Sequence, residues 1–305
     1  MSSSLREGLT VRRGCAEDVD AVTAALVAEE VAVRGRSAWD GSDTADWWRA
    51  LELQGEAWVA EADGGAVAGC LGLFTRGGSF NGWAAVAPEF AGQGLGVALI
   101  RLAEERAGKL GGSRLHLGSF AQNAAATRLF EGLGYRVVRH HYRMLIELDE
   151  RPPPPEWPPG IAHGRFDLAD ARAVHAAIQE ALADDWGFTP MAFEEWQRSR
   201  LESPDFDPTL WTVAWEAGEV AGVIRCDPRR WGAGWVGMLG VRRPWRRRGL
   251  GLALLRRSFA KFYERGERRV GLGVDAQNPS GATRLYERAG MHVEAEHLTW
   301  EKELA

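Results

Sequence analysis

The chain has 305 residues, 45% hydrophobic and 26% charged, which excludes a disordered or fibrous polymer and, at about 150 residues per domain, predicts two domains. Its 37 basic and 42 acidic side chains leave a net charge of −5, too acidic for a dedicated nucleic-acid binder unless the positive charge is concentrated in one place. Three scattered cysteines, Cys15, Cys70 and Cys226, support neither a disulfide framework nor a metal site, and no apolar run approaches the roughly 18 residues of a membrane helix.

The opening MSSSLREGLTVRR lacks the apolar stretch of a signal peptide, so a cytoplasmic chain is expected. Within it a short strand, Leu9 to Arg13, precedes helical periodicity over Asp18 to Arg34. A hairpin follows, Trp58 to Glu61 and Val67 to Phe74, joined by Asp63-Gly64-Gly65. A third strand runs into a glycine turn and a helix, Leu95 to Leu110, then come a strand over Arg114 to Gly118, a helix and a final strand pair. Next lies Arg151-Pro-Pro-Pro-Pro-Glu-Trp-Pro-Pro-Gly160, where proline excludes helix and sheet interior and predicts a stiff, extended linker between domains.

Beyond the linker the same order returns. A strand (Ile161 to Phe166), a helix (Leu168 to Ala183), a hairpin (Trp211 to Trp215 and Glu219 to Cys226, through Ala217-Gly218), a strand (Trp235 to Val241), a helix (Leu250 to Arg265) and a strand (Arg269 to Val274) succeed one another. Gln93 to Gly96 matches Arg248 to Gly251, and Ala121 to Asn123 matches Ala276 to Asn278, both 155 residues apart. Thr127 to Phe130 matches Thr283 to Tyr286 at 156, and Trp58 to Gly69 matches Trp211 to Gly222 at 153. A period this long makes each copy a whole domain rather than a solenoid unit. The expected division is therefore 1–150, a linker over 151–160, and 161–305. Early hairpins and late strand-helix-strand units predict, in each copy, a mixed α/β sheet flanked by helices.

In the second copy the strand leads through Arg242-Arg243-Pro244-Trp245 into Arg246-Arg247-Arg248-Gly249-Leu250-Gly251. Glycines let consecutive amides converge at a helix N-terminus, which suits a pyrophosphate. The turn is neither a Walker A, which needs Gly-Lys-Ser/Thr, nor a Rossmann fingerprint, which needs an acid about 20 residues on.

The strand, the Val-x-x-x-x-[Arg/Gln]-x-x-Gly-x-Gly turn, the helix, and an Asn about 30 residues on followed by Leu-Tyr and Ala-Gly-Met resemble the GCN5-related N-acetyltransferase (GNAT) family. The resemblance covers both halves, and the tandem arrangement is similar to that of the mycothiol synthases. It implies two splayed mixed sheets and acetyl-CoA as cosubstrate, inserted between the strands on either side of the long helix. It would set the pantetheine arm against Leu239, Gly240 and Val241, with Arg246 beside the turn and the pyrophosphate on Arg247, Arg248, Gly249, Leu250 and Gly251. Asn278 would contact the pantetheine, and Tyr286 would stand near the sulfur. A phenol of pKa about 10 can supply a proton or hydrogen bond to a departing thiolate whose thiol has a pKa near 8.5. A second cofactor site in the first copy would use Val86, Gly92, Gln93, Gly94, Gly96 and Asn123.

The copies are unequal. Phe130 stands opposite Tyr286, Ala91 opposite Arg246 and Phe120 opposite Asp275. The first copy is thus read as degenerate, binding acetyl-CoA or only bracing the other half. Between Arg242 and Arg269 eleven basic residues meet two acids, a patch suited to the phosphates of CoA. No residue of the strand Trp235 to Val241 ionises, so the candidate bases are Asp185, with Asp184 beside it, and Asp275. The expected activity is acetyl transfer to the primary amine of a small molecule, by a monomer or homodimer without nucleic-acid or membrane partners. The alternatives are a non-catalytic acyl-CoA-binding or scaffold protein and a protein N-acetyltransferase.

Overall fold

The computed structural model describes residues 8–76, 79–203 and 206–304; residues 1–7 of the opening segment lie outside them. The chain forms two compact units. One runs to His141 and takes in the stretch from Glu296 onward, and the other is Tyr142–Ala295.

Unit 1 contains β1 (Leu9–Arg13), α1 (Val19–Arg34), α2 (Gly41–Gln54), β2 (Gly55–Ala62), β3 (Val67–Arg76), β4 (Ser79–Val86), α3 (Leu95–Lys109), β5 (Arg114–Phe120) and α4 (Ala124–Gly132). The strands β1 to β4 pair antiparallel in sequence order, and β4 pairs parallel with β5. Leu95, Leu99, Ile100 and Ala103 of α3 are buried with Leu71, Leu73, Leu115 and Leu117 of the sheet, while Val22 and Leu26 of α1 and Trp48 and Leu51 of α2 cover Val59, Cys70 and Ala85. Sequence periodicity did not identify α2; its start is fixed by Asp40, whose carboxylate accepts from the Ser42 and Asp43 amides.

Unit 2 repeats the plan with β7 (Ala162–Arg165), α5 (Ala171–Leu182), α6 (Phe193–Trp196), β8 (Thr212–Glu216), β9 (Glu219–Arg230), β10 (Ala233–Val241), α7 (Leu250–Glu264), β11 (Arg269–Asp275) and α8 (Ala282–Arg288). Ala217 and Gly218 both have positive φ, at 51° and 83°, which gives the two-residue hairpin between β8 and β9 the twist that such turns favour.

Each copy ends differently from the sequence expectation. Instead of a strand pair there is one strand of 12 residues, β6 (Arg136–Glu147) and β12 (His292–Glu303), because neither stretch contains a glycine, proline or asparagine at which to turn. Both strands pass from one unit into the other. Residues 297–303 pair antiparallel with β5 in unit 1, where Leu298 and Trp300 are buried and the Trp300 ring stacks on Phe130 at 5.2 Å. In unit 2 the far half of β6 lies beside β11, with Leu148 N donating to Arg268 O at 2.7 Å. The compact units therefore differ from the sequence repeats at their last strands.

That exchange also relocates the proline segment. Residues 151–160 lie wholly within unit 2, as a strap across it rather than a joint between units. Arg151 pairs with Glu264 and Glu156 with Arg256 on α7, and Trp157 stacks on His163 of β7 with ring centroids 3.9 Å apart.

Candidate active site

The turn after β10 and the turn after β4 share one backbone. Arg247 and Gly249 have φ of 60° and 89°, and their counterparts Gly92 and Gly94 have 74° and 84°. In both units the first intrachain donation into the long helix comes late: Ala253 to Gly249 O and Ala98 to Gly94 O, each at 3.1 Å. Among the described residues the amides of Arg247 to Leu252 have no chain acceptor, so they form an open nest at the N-terminus of α7 that can hold an anion.

Beside each turn the sheet opens. Parallel pairing of β10 with β11 covers only Gly234 to Val236 against Val270 to Leu272, and that of β4 with β5 stops at Trp83 against Gly118. Past these points Leu239, Gly240 and Val241 in unit 2, and Val86 in unit 1, edge a wedge between strands. In unit 2 the register of β10 against β9 also shifts between Val236 and Met238, a bulge at Gly237 that β4 lacks.

At the mouth of the unit 2 wedge, three of the expected residues converge. Asn278 Nδ2 donates to Asp185 Oδ1 at 3.0 Å, and Asn278 Oδ1 accepts from the Ser280 amide. Tyr286, on α8, is buried, and its hydroxyl makes no hydrogen bond among the described residues. Burial, and after it the Asp185 carboxylate, push its phenol well above the ordinary value. Asp185 is itself pushed up, first by burial and further by Asp275. Asp275 accepts from the Gln277 amide at 2.8 Å, closing the turn that presents Asn278. Asp184, by contrast, is committed to Arg243 and Arg246, which hold it down at about 2.

The basic patch is largely internal. The Arg246 guanidinium donates to Val241 O and Ala181 O, both at 3.0 Å, and to Asp184; it ties the end of β10 to α5 rather than standing open toward a ligand. Arg248 holds Glu216 through two bonds, at 2.6 and 3.0 Å. Arg242 binds Glu180, and Lys261 donates to Trp211 O and Thr212 Oγ1. Among the described residues Arg247 makes no ion pair, so its charge is available at the turn.

Unit 1 carries a counterpart of the Asn278–Asp185 contact that the sequence did not reveal. Asn123 Nδ2 donates to Glu29 Oε1 of α1 at 3.3 Å, and burial, helped by Glu30, pushes Glu29 up to about 8. Gln93 Nε2 donates to Glu89 O, and Gly96 opens α3 as Gly251 opens α7. Where unit 2 has a phenol, Phe130 is packed between Tyr135 and Trp300.

The profile of the Acetyltransferase (GNAT) family matches residues 25–135 and 173–291. The chain belongs to the GNAT family. It is an acetyltransferase using acetyl-CoA, and the two open-amide turns beside splayed strands fit a pyrophosphate-bearing donor. A mycothiol acetyltransferase of Thermobispora bispora is 33% identical over 212 residues, covering 67% of this chain and 70% of the relative. The crystal structure of a GCN5-related N-acetyltransferase from Sphaerobacter thermophilus superposes with a TM-score of 0.87 at 34% identity, over 99% of this chain and 97% of that one. A tandem GNAT protein from the clavulanic acid biosynthesis pathway shares the fold, with a TM-score of 0.75 at 19% identity over 97% and 99% of the two chains. No helix among the described residues of this GNAT enzyme is long and apolar enough to cross a membrane.

Proposed function

We propose that unit 2 is the transfer site and that it acetylates the primary amine of a small molecule. The observation that carries this reading is the meeting of Asp185, Asn278 and Tyr286 beside an open-amide turn, against a phenylalanine at the matching place in unit 1. The amides of Arg247 to Gly251 would hold the pyrophosphate with the Arg247 charge beside it, and Leu239 to Val241 the pantetheine arm. A carboxylate with a raised pKa is a competent base near neutrality, so Asp185 takes a proton from the acceptor's ammonium. The amine then attacks the thioester carbonyl; the C–N bond forms and the C–S bond breaks. Tyr286, whose raised pKa keeps it protonated, donates a hydrogen bond to the departing thiolate. Full proton transfer from so weak an acid to a thiolate is uphill, so the thiolate gains its proton from the second N–H of the attacking amine. The likeness to a mycothiol acetyltransferase favours a small-molecule acceptor over a protein tail. Unit 1 keeps a cofactor turn without the phenol, and in this reading binds acetyl-CoA without transferring from it.

Calorimetric titration of acetyl-CoA tests the assignment. Gly249→Asp places a carboxylate in the nest at a φ of 89° and should remove the site that supports thiol release with amines. Gly94→Asp should leave that release intact; the opposite pattern moves the reaction to unit 1.

A further inference from the structure

Helix α5 ends at Leu182, and the turn that follows it carries Asp184 and Asp185. Inside this turn the Asp185 amide donates to Leu182 O at 2.9 Å and the Phe188 amide to Asp185 O at 3.1 Å. Arg246 binds it to the sheet. Its guanidinium donates from Nη2 to Ala181 O in the last turn of α5, from Nη1 to Asp184 Oδ2, and from Nε to Val241 O at the end of β10. All three nitrogens are spent on the chain itself, so a helix end, a turn and a strand end meet on one planar group. Ala181 O is among the carbonyls that an α-helix leaves without a partner of its own. Arg242 ties Glu180 of α5 to β9, and Arg243 pairs with Asp184, but it is Arg246 that joins the turn to β10. Asp185 then reaches the other lip of the wedge, where its Oδ1 accepts from Asn278 Nδ2 at 3.0 Å.

Unit 1 places its carboxylate differently. Glu29, which accepts from Asn123, lies inside α1, and that helix runs on to Arg34, so the helix backbone itself holds it. Ala91 stands there opposite Arg246. The arginine is present where the carboxylate follows a helix end and absent where it lies within one. We infer that Arg246 is a positioning residue for acetyl transfer: it sets the Asp184–Asp185 turn against β10 so that the Asp185 carboxylate stands at Asn278, and it does not hold the cofactor. This rests on unit 2 being the transfer site with Asp185 as its base. A reacting group misplaced by about 1 Å loses about 10²-fold in rate, whereas the pyrophosphate is left to the amides of the turn and is not affected by the loss of this side chain.

Thiol release from acetyl-CoA with benzylamine and ethanolamine as acceptor probes, beside calorimetry of acetyl-CoA alone, separates positioning from cofactor binding in the full chain. Arg246→Ala should lower kcat about 10²-fold and leave the Kd for acetyl-CoA within about twofold. Arg246→Lys, a point charge that cannot span three acceptors, should fall between. Millimolar guanidinium chloride should raise the Arg246→Ala rate about tenfold, the worth of one charged hydrogen bond, and should do nothing for Asp185→Asn. A weakened Kd with kcat unchanged would make Arg246 a cofactor ligand and overturn the inference. So would full activity in both Arg246 variants, or a loss of kcat that neither lysine nor guanidinium moderates. If Asp185→Asn turns over at the full rate, or the unaltered chain releases no thiol with either amine, the transfer reading falls and this inference with it.

Discussion

Unit 1 and unit 2 hold the same turn backbone, the same splayed strands and the same asparagine-to-carboxylate contact, yet they differ in the side chains around them. Phe130 replaces Tyr286, Glu29 replaces Asp185, and Ala91 replaces Arg246. The backbone apparatus for a phosphate is the same apparatus that starts the long helix, so it is present in both units whatever side chains surround it. A cofactor turn alone therefore says little about catalysis.

The comparison can be broken most forcefully at the exchanged strands. Ending the chain at residue 295 removes Leu298 and Trp300 from the unit 1 core, each worth about 1.5–3 kcal/mol, along with the whole pairing of residues 297–303 with β5. Against a typical total of about 5–15 kcal/mol, unit 1 should lose its cooperative melt by calorimetry. Residues 160–305 expressed alone, which the sequence repeat suggested as a self-sufficient domain, should fail likewise, since they lack the β6 strand beside β11. A cooperative transition near the full-length Tm for either would show the exchange to be dispensable.

A smaller effect tests the chemistry. Tyr286→Phe should lower kcat about 10²-fold, the usual loss when one hydrogen-bond donor to a developing anion is removed, and leave the KM for acetyl-CoA unchanged. Phe130→Tyr should not move the rate by more than about twofold. Equal effects at the two positions would erase the distinction between the units.

Glu29 sharpens the comparison through pH. Its folded pKa, about 8 through burial, exceeds the unfolded value of about 4.3, so between these values the folded chain binds more protons and stability falls as pH rises. Glu29→Gln should raise Tm clearly more at pH 8, where these two values set a linkage cost of several kcal/mol, than at pH 5, where it falls to about 1 kcal/mol. A uniform shift at both pH values would count against a buried, protonated Glu29. The smallest effect is expected at Arg247, a non-glycine residue at φ 60°. Arg247→Gly relieves about 1 kcal/mol of backbone strain but removes a charge, so Tm should rise slightly while acetyl-CoA affinity falls a few-fold; unchanged affinity would remove Arg247 from the cofactor site.

The repeat, the hairpins, the glycine turns and the long helices were legible because each is written in local pattern: Ala217-Gly218 for a turn, Gly249 for a left-handed start, apolar spacing for α3 and α7. Asn278 and Tyr286 were singled out by the repeat and the resemblance, and Asp185 as a candidate base, but the contact between Asn278 and Asp185 was not legible. Nor were four further features. The exchange of β6 and β12 is invisible because a strand's sequence fixes its faces but not which edge it joins. Glu29 sits mid-helix with no motif around it. Arg246 reads as part of the cofactor turn until Ala181, Asp184 and Val241 are seen to hold it, and the basic run reads as a ligand patch until Glu180, Asp184 and Glu216 are seen to occupy most of it.

The strand exchange also sets a timetable for synthesis. The β5 edge is complete once residue 120 has left the ribosome, but its partner begins at His297. At about 5–20 residues per second, that edge waits roughly 9–35 s with its ladder groups unpaired, and an open edge is a template for pairing with other chains. The nascent protein is therefore most exposed to aggregation while unit 2 is being made, and slower translation of the second half should lower the soluble yield of the whole chain even though every codon of unit 1 has already been read.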